Sequence, residues 1–483
     1  MFISYSKLNI LNIFSGTLFF LIILFLRIYI NHISAITLHF DEAQYWGWSK
    51  NLEWGYFSKP PLLAWIIYFN NSLCGQTEFC VRISSPILYF FASLFIFFSA
   101  NILIKNIRIA VLSAVAFNLM PGITFSSFIS TTDVPLVFFS SIFCFIFLVI
   151  YKKKKPSIFY YILLGLVFSL GFLSKYAMGY LMLSLMILLF FYVDVRRKFL
   201  NINSIFFIIT VLVITFPHFY WNYKNSFVTF LHTADNANLQ ELNLNIQNVL
   251  VFLVSQFIIF GVYPLFFISK NLPNFKKQKT EAKILLIYFF TPIVVLAAVS
   301  LFSRANANWA VVGFPFGFTF LALLLKEKNN FHDRIYILFS QISLSVLIVM
   351  FILIGKKYPI LDPFEKQRYT KELAKSISKH LSNINNVALM ADDREDFALM
   401  LYYIKDFKGR RAKWNGDIKI DDHYELTTNV NDLAGHNLLF ITRTAPTPEM
   451  LSRSEGKKLL QTLIFRRRNK VQYYNLYLLK NWK

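Results

Sequence analysis

Long apolar stretches recur along the first three quarters of the chain, with short polar loops between them. Each stretch has 17 to 22 mostly apolar residues, and a helix rising 1.5 Å per residue then crosses a hydrocarbon core about 30 Å thick. The pattern predicts about eleven transmembrane helices, at residues 12–31, 85–104, 108–125, 134–151, 158–174, 176–193, 203–220, 248–269, 283–302, 309–325 and 333–354. The first stretch lacks a small-residue cleavage site and is expected to be a retained signal anchor.

The end of the chain has a different pattern. Residues 356–483 carry 39 of the 75 Lys, Arg, Asp and Glu residues, and short alternating runs replace the long apolar stretches. Helix-like and strand-like segments follow one another there, which is typical of a small α/β domain. We therefore expect a membrane domain over residues 1–355, with a first outer loop at about 32–84, and an α/β domain over 356–483. A chain with only 16% charged residues, against roughly 25% in soluble domains, is not a soluble enzyme.

Basic residues collect in alternate loops, and short cytoplasmic loops are the ones that do so. The basic loops contain Lys105 and Arg108, Lys152–Lys155, Arg196–Lys198, Lys270–Lys279, and Lys326–Arg334. The remaining loops and the α/β domain are then expected on the opposite, non-cytoplasmic side of the membrane. This loop bias accounts for the net charge of +23, so no nucleic-acid partner is predicted.

The cysteine content is low. Cys74, Cys80 and Cys144 are too few for a disulfide scaffold or a zinc site. The spacing leaves open whether Cys74 and Cys80 form a bond in an oxidising loop.

Ionisable residues interrupt the apolar pattern at the non-cytoplasmic ends of the predicted spans. They are Asp41 and Glu42 in HFDEAQYWGWS, Lys59 in YFSKPPLLAW, Asp133 in STTDVPL, Lys175 in GFLSKY, His218 in FPHFYWNYKNSF and Arg304 in SRANANW. Charged groups at a membrane boundary are costly to desolvate and need partners, so several on one face suggest a functional site.

The acidic members of this set have structural alternatives. Asp41 and Glu42 could begin a solvated loop helix, although the flanking Tyr45, Trp46 and Trp48 suggest a helix lying at the membrane interface. Asp133 could cap the helix that follows it.

The other members have alternatives too. Lys59 could be a snorkelling lysine. Lys175 and Arg304 could bind lipid headgroups nonspecifically, and His218 alone favours a structural role. The joint pattern is harder to explain in these ways than any single residue.

One carboxylate beside several cations suits sugar transfer from a lipid-linked phosphate donor. The cations would neutralise the departing phosphate as the sugar bond breaks, and the carboxylate would accept a proton from the attacking group. Inverting transfer needs one base, and Asp41 is predicted to be that base. Glu42 would point about 100° away on a helix, so it would bind acceptor or support the structure.

The same segments resemble a known family. FDEAQYWGWSKNLEWGYFSKPPLLAW, TTDVPLVFF, LGLVFSLGFLSKYA, FPHFYWNYKNSFVTFL and ANANWAVVGFP keep the order found in the bacterial protein O-mannosyltransferase-like membrane glycosyltransferases, a family that includes 4-amino-4-deoxy-L-arabinose lipid A transferases. The matches run over roughly residues 38 to 320, and MADDREDFALMLYYI followed by KWNG resembles the family's extracytoplasmic domain.

The resemblance implies a GT-C fold of about eleven to thirteen transmembrane helices with a periplasmic C-terminal domain. It implies a polyprenyl-phosphate sugar donor, a glycolipid acceptor such as lipid A or the lipopolysaccharide core, and inverting transfer with Asp41 as the catalytic aspartate. Lys59 and Lys175 resemble phosphate-binding positions. The residues expected to contact substrate are Glu42, Tyr45, Lys59, Asp133, Lys175, Tyr176 and Arg304. The tail is shorter than in the longer aminoarabinose transferases, so a relative's metal site cannot be placed, and no required cofactor is predicted.

Three alternatives stay open. A protein O-glycosyltransferase would share the fold, and a transporter or flippase for a lipid-linked sugar would share the helix count. Transporters tend to have duplicated halves and polar residues near the bilayer midplane, and neither is evident in this sequence. A non-catalytic lipid-binding scaffold would tolerate loss of the Asp41 charge, whereas an enzyme would not.

Overall fold

The fold is given by a computed structural model. It describes the chain except residues 1, 35, 236–243, 273–277, 304, 356–357, 359–362, 418 and 468–469. Arg304, one of the predicted site residues, therefore lies outside the described residues.

Helices make up most of the described chain. In chain order they are α1 (Phe2–Ile33), α2 (Phe40–Trp48), α3 (Leu62–Cys74), α4 (Glu78–Arg82), α5 (Ser84–Ile104), α6 (Ile107–Asn118), α7 (Pro121–Ser126), α8 (Asp133–Lys152), α9 (Ile158–Ser174), α10 (Gly179–Phe191), α11 (Val193–Phe199), α12 (Ser204–Lys224), α13 (Val228–Asp235), α14 (Ile246–Phe260), α15 (Val262–Lys270), α16 (Thr280–Ser300), α17 (Phe314–Lys328), α18 (Phe331–Gly355), α19 (Thr370–Ser382), α20 (Arg394–Tyr403), α21 (His423–Thr427) and α22 (Pro448–Ser452). Short 3-10 helices lie at Tyr176–Met178, Ala307–Gly313, Glu365–Gln367 and Val430–Leu433.

The chain forms two compact units. The first, the membrane unit, comprises Met1–Ile33, Lys59–Ile66 and Arg82–Val349. The second, the α/β unit, comprises Ser34–Ser58, Ile67–Val81 and Met350–Lys483. The α/β unit thus contains α2, the second half of α3 and most of α4 as well as the chain end, whereas the sequence-based division was drawn at residue 355.

Seven helices in the described part of the chain are long and apolar enough to cross a membrane. Two bent pairs, α10 with α11 and α14 with α15, raise the number to nine if each pair is one span. Two of the eleven expected spans correspond to shorter helices, α6 with 12 residues and α9 with 17. Pro121 occupies the first turn of α7 and cannot continue a helix from α6, which breaks the span expected at 108–125. The multi-pass character is confirmed, and the count of eleven stays a prediction.

Small residues allow close helix packing in the membrane unit. A Cβ added at Gly165 of α9 would lie 2.8 Å from the carbonyl oxygen of Phe207 in α12, so the two backbones approach closely there. The hydroxyl of Ser113 in α6 donates to the carbonyl of Phe318 in α17 at 2.6 Å. Since α9 returns antiparallel to α8 and packs against it, the start of α8 and the residues that follow α9 lie at the same end of the bundle.

The α/β unit is built on a mixed sheet, as expected from the sequence. Its strands in the described residues are β1 (Val387–Ala391), β2 (Arg411–Lys413), β3 (Asn437–Thr442), β4 (Gly456–Arg467) and β5 (Lys470–Lys480). Their order is β2-β1-β3-β5-β4, with β1 parallel to β2 and β3, and β5 antiparallel to β3 and β4. Strands β1 and β3 are buried on both faces, which explains their short, uniformly apolar runs.

The residues just before α2 are tied to the C-terminal part of the α/β unit. The Leu38 amide donates to the Tyr403 hydroxyl at 2.7 Å, and the Thr37 hydroxyl donates to the carbonyl of Gln367 at 2.8 Å. Cys74 and Cys80, which the sequence left open, are joined by a disulfide. These contacts fix α2, and with it Asp41, relative to α20.

Candidate active site

Helix α2 begins with a capping box that positions Asp41. The backbone amide of Asp41 donates to Nδ1 of His39 at 3.3 Å, and the backbone amide of His39 donates to Oε2 of Glu42 at 2.8 Å. This reciprocal arrangement satisfies amides that would otherwise lack partners at a helix start. Glu42 is buried and holds the start of α2, which supports the structural role considered for it. Its contact with substrate stays a prediction.

The Asp41 carboxylate is accessible and only loosely held. Its side chain is 43% exposed, with Nη1 of Arg394 at 3.4 Å from Oδ1 and Nδ1 of His39 at 3.6 Å from Oδ2. The same Nη1 of Arg394 donates to Oε1 of Gln44 at 2.6 Å. The Arg394 guanidinium also lies over the Phe40 ring, 5.1 Å from its centroid. A carboxylate held in this way keeps lone pairs available for a proton.

The aromatic residues of α2 do not form a belt facing lipid. Tyr45, Trp46 and Trp48 are all buried. Trp46 packs edge-on against Tyr402 at 4.9 Å, and Trp48 stacks on Tyr56 at 4.5 Å. The expectation that these side chains form a belt in the membrane interface is therefore wrong, because they pack within the α/β unit. The position of α2 at the membrane interface stays a prediction. The substrate contact expected of Tyr45 stays a prediction.

Burial around α2 also changes the chemistry of a neighbouring histidine. His423 lies edge-on to Trp48 at 5.3 Å, and desolvation lowers its pKa to about 4. It is therefore neutral at physiological pH and does not add a cation beside Asp41.

The membrane unit contains a second polar cluster. Lys175, which follows α9, donates from Nζ to Oδ1 of Asp133 at 2.6 Å. Nδ2 of Asn308 donates to the other carboxylate oxygen at 2.6 Å. Asp133 is the first residue of α8, and the N-cap position before it belongs to Thr132, whose side chain makes no capping hydrogen bond. The capping alternative for Asp133 is thus replaced by an ion pair that the sequence did not predict.

Tyr176 and His218 are neighbours in the same unit. The Tyr176 hydroxyl and Nε2 of His218 are 2.8 Å apart, and Tyr176 stacks on Phe230 at 4.9 Å. His218 is fully buried in α12. A buried, hydrogen-bonded histidine supports the structural role that the sequence favoured.

The remaining predicted residues are less constrained. Lys59 is half-buried and lies just before α3 in the membrane unit, and its phosphate-binding role stays a prediction. The structure thus brings Asp133 together with Lys175, and Tyr176 together with His218. Among the residues that the structure describes, no group of three or more His, Cys, Asp or Glu side chains is placed to hold a metal ion. The absence of a metal requirement stays a prediction.

Three residues in these clusters were missed from the sequence. Gln44 and Arg394 contact each other beside Asp41, and Asn308 binds Asp133. Asn308 lies in the ANANW motif, but only the neighbouring Arg304 was predicted there as a site residue. Arg394 is the first residue of α20 and lies in the charged run DDRED, and this basic residue could have indicated a partner for the acidic residues of the first outer loop.

A family match covers the central part of the membrane unit. Residues 58–221 match the family described as dolichyl-phosphate-mannose-protein mannosyltransferase. The resemblance predicted from the motifs is confirmed over this part of the chain, which is similar to that family.

Named relatives narrow the comparison further. The chain is 29% identical over 316 residues to the lipid A galacturonosyltransferase RgtD of Rhizobium johnstonii, an alignment that covers 64% of this chain and 65% of that protein. It is 28% identical over 204 residues to the lipopolysaccharide core galacturonosyltransferase RgtA of the same organism, covering 42% of this chain and 40% of that one. The chain therefore spans less than two thirds of the length of these relatives.

The fold is shared with solved structures. The crystal structure of ArnT from Cupriavidus metallidurans in the apo state has a TM-score of 0.63 at 12% identity, covering 98% of both chains. ArnT from the same organism bound to undecaprenyl phosphate has a TM-score of 0.62 at 13% identity, covering 95% of this chain and 97% of that one. This likeness confirms the predicted GT-C fold with its C-terminal α/β domain.

Proposed function

We propose that this protein is an integral membrane glycosyltransferase that moves a sugar from a polyprenyl-phosphate-linked donor to an envelope glycolipid with inversion. The observation that carries the proposal is the accessible Asp41 carboxylate, fixed by its own capping box and touched by Arg394 at 3.4 Å, in a chain with the fold of ArnT. The active site and the α/β unit face the periplasm, on the side opposite the basic loops.

The solved structures and the named relatives support a particular donor, sugar and acceptor. ArnT from Cupriavidus metallidurans, which has the same fold, binds undecaprenyl phosphate in its crystal structure, and this supports an undecaprenyl-phosphate donor here. The galacturonosyltransferases RgtD and RgtA support a uronic acid as the transferred sugar, with lipid A or the lipopolysaccharide core as acceptor. Membrane lipids surround the spans, and nucleic acid has no part in the reaction.

Each charged group has a role in this proposal. Asp41 accepts the proton of the attacking acceptor hydroxyl, so that the oxygen can displace the phosphate at the sugar carbon. Lys59, Lys175 and Arg304 bind the donor phosphate and offset its growing negative charge. The remaining predicted residues contact the substrates or support the helices that carry the base and the cations; they are Glu42, Tyr45, Asp133 and Tyr176. A single base suffices because the bond to phosphate breaks as the new one forms.

Mass spectra of envelope glycolipids test the proposal. Cells would express the intact protein, Asp41→Asn, or neither. The intact protein should add the mass of one uronic acid residue to a glycolipid, and Asp41→Asn should lower this transfer by about 100-fold or more, since general base catalysis contributes about 10²–10⁴-fold. Asp406→Asn removes an exposed carboxylate of the same unit and should transfer normally.

The outcomes separate the alternatives. Normal transfer by Asp41→Asn would refute the assigned base. If no glycolipid changes mass in cells with the intact protein, a glycolipid acceptor is ruled out, and the same comparison on periplasmic proteins would test a protein acceptor. A transporter or flippase would instead move the lipid-linked sugar to the other membrane leaflet and form no new glycosidic bond.

A further inference from the structure

A cavity of about 370 Å³ lies within the α/β unit, where α19, α20, β4 and β5 contribute lining residues. Its volume is in the lower part of the range of small-molecule sites, which is roughly 300–1,000 Å³. One wall is aromatic and the other is polar, and Phe40 of α2 is among the lining residues. Neither cavity wall was used in the reaction described above.

The aromatic wall is pre-formed by packing between neighbouring elements. The Tyr369 ring stacks on Phe465 of β4 at 4.8 Å, and Phe465 meets Tyr474 of β5 edge-on at 5.8 Å. The Tyr369 hydroxyl donates to the carbonyl of Arg466 at 3.0 Å, which fixes the ring. Rigid aromatic side chains offer large apolar faces at low entropic cost, and the apolar C–H face of a sugar ring fits such a surface.

The polar wall contains a carboxyl group that is only half satisfied. Oδ1 of Asp396 accepts from Nη2 of Arg443 at 2.9 Å and from the Tyr474 hydroxyl at 3.2 Å. Oδ2 of Asp396 has no hydrogen-bond partner in the part of the chain that the structure describes, although the side chain is only 3% exposed. A buried polar atom without a partner costs about 1–3 kcal/mol, so its presence at a cavity wall points to a hydrogen-bond donor that a ligand brings.

The charge of this wall selects against anions. Nη2 of Arg443 also lies 3.5 Å from Oδ1 of Asp393 and 3.9 Å from Oε2 of Glu395. One guanidinium thus faces three carboxylates, and burial raises the pKa of Asp396 to about 7. Even with Asp396 protonated, the group is net negative, so a phosphate or a uronate would meet like charge. Hydroxyl and ammonium groups would be accepted.

We propose that this cavity binds a sugar unit without negative charge, a neutral or amino sugar, on the acceptor side of the reaction. The assignment to the acceptor rests on the proposed function, whereas the presence of a sugar site does not. Helix α20 links the two places, because Arg394 contacts Asp41 and Asp396 lines the cavity. An acceptor glycan held by its sugar ring in the cavity would then extend towards the Asp41 end of α2.

Saturation-transfer NMR on the purified full chain, without donor, tests the binding. The probes are D-glucosamine and N-acetyl-D-glucosamine, compared with D-galacturonate and inorganic phosphate. We expect signals from the first two only. Leu373→Trp should abolish them, because Leu373 lines the cavity and the indole would fill it. Lys375→Trp, an exposed position on the same helix, should leave them unchanged.

A second variant keeps the test valid if Leu373→Trp lowers the midpoint of thermal unfolding. Tyr369→Ala removes the exposed edge of the aromatic wall and should weaken glucosamine binding by up to about tenfold. Equal binding by the wild type and both variants would overturn the proposal. So would absence of amino-sugar signals in the wild type, or phosphate or galacturonate signals that Leu373→Trp removes.

Transfer measurements separate this proposal from the proposed function. If the wild type transfers sugar to a glycolipid, Leu373→Trp should raise the KM for the acceptor and leave the KM for the donor unchanged. If the wild type binds amino sugars in the cavity but transfers nothing, the function fails and the binding site stands. If Leu373→Trp transfers sugar with an unchanged KM for the acceptor, the cavity does not bind the acceptor. The proposed glycosyltransferase function would then still stand.

Discussion

Two carboxylates, one in each unit, are held in opposite ways. In the membrane unit both oxygens of Asp133 are bound, by Lys175 at 2.6 Å and by Asn308 at 2.6 Å, and the side chain is 12% exposed. In the α/β unit the Asp41 side chain is 43% exposed, and Arg394 and His39 approach it only to 3.4 and 3.6 Å. The sequence treated both as polar residues at the membrane boundary.

The difference separates a structural carboxylate from a reactive one. A base needs a lone pair that an incoming hydroxyl can reach, and Asp133 has both oxygens engaged while Asp41 does not. A buried ion pair fixes the positions of the elements that carry its partners. We therefore infer that Asp133 holds Lys175 in place for the donor phosphate, and that the chemistry lies with Asp41.

The largest expected effect comes from breaking the buried pair. Lys175→Met leaves the Asp133 carboxylate buried with Asn308 alone, and an uncompensated buried charge destabilises by about 3–5 kcal/mol. The midpoint of thermal unfolding of the full chain in detergent should fall accordingly. Lys328→Met, an exposed lysine of the same unit, should leave the midpoint unchanged.

A double variant divides the two roles of Lys175. Asp133→Asn combined with Lys175→Met removes both charges and should recover most of the lost stability. Transfer should stay low in the double variant, because the proposed phosphate contact is still missing. A single Lys175→Met variant that unfolds at the wild-type temperature would show that the pair adds no stability, and the contrast with Asp41 would then lose its basis.

A third carboxylate, Asp396, gives a smaller effect that depends on pH. Burial raises its pKa to about 7, against the opposing effect of Arg443, whereas an unfolded Asp has a pKa of about 3.9. The folded state then binds the proton more tightly, so the stability due to this group is complete below about pH 4 and is lost as the pH rises towards 7. Between pH 5 and 7 the loss amounts to about 2 kcal/mol.

Thermal unfolding of the wild type and Asp396→Asn at pH 5, 6 and 7 measures this effect. The difference between the two proteins cancels the other titrating groups, including Asp393 beside Arg443. The wild type should lose stability with rising pH more steeply than Asp396→Asn, and the exposed Asp406→Asn should follow the wild type. Parallel curves for the wild type and Asp396→Asn would mean that Asp396 is already ionised in this range.

Most of the fold could be predicted from hydrophobic patterning. The long spans and the strands β1, β3 and β5 have apolar runs of the right length, and burial on a helix or sheet face produces such runs directly. Strand β2, with the sequence RAK, was missed because its third residue is a lysine. Lys413 is buried there by ion pairs with Asp422 at 3.0 Å and with Glu425, and periodicity cannot reveal a charge that is neutralised by distant residues.

The candidate site was predicted as a set of residues and not as a set of contacts. Asp41, Asp133 and Lys175 were identified because charges stand out in apolar segments. The pairing of Asp133 with Lys175, 42 positions apart, and of Asp41 with Arg394, 353 positions apart, depends on tertiary packing. The aromatic residues of α2 were misplaced for the same reason, since Trp46 and Trp48 fit a membrane interface and a buried protein contact equally well.

The smallest expected effect concerns Arg394, beside the exposed carboxylate of Asp41. Nη1 of Arg394 contacts both Asp41 and Gln44, so Arg394→Ala should let the Asp41 carboxylate rotate. The exposed pair contributes no more than about 1 kcal/mol to stability, whereas misplacement of a catalytic group reduces the rate. We expect kcat to fall by about tenfold, with an unchanged KM for the donor and an unchanged unfolding midpoint.

Matched variants show whether Arg394 acts through the position of Asp41. Arg394→Lys keeps the charge but has no planar fork with which to reach both partners, so its kcat should lie between those of the wild type and Arg394→Ala. Lys408→Ala, an exposed cation of the same unit, should transfer normally. In an Asp41→Asn background, Arg394→Ala should cause no further loss, because the group it positions is gone. An additional tenfold loss in that double variant would mean that Arg394 contacts substrate itself, and the loosely held carboxylate of Asp41 would then need another explanation.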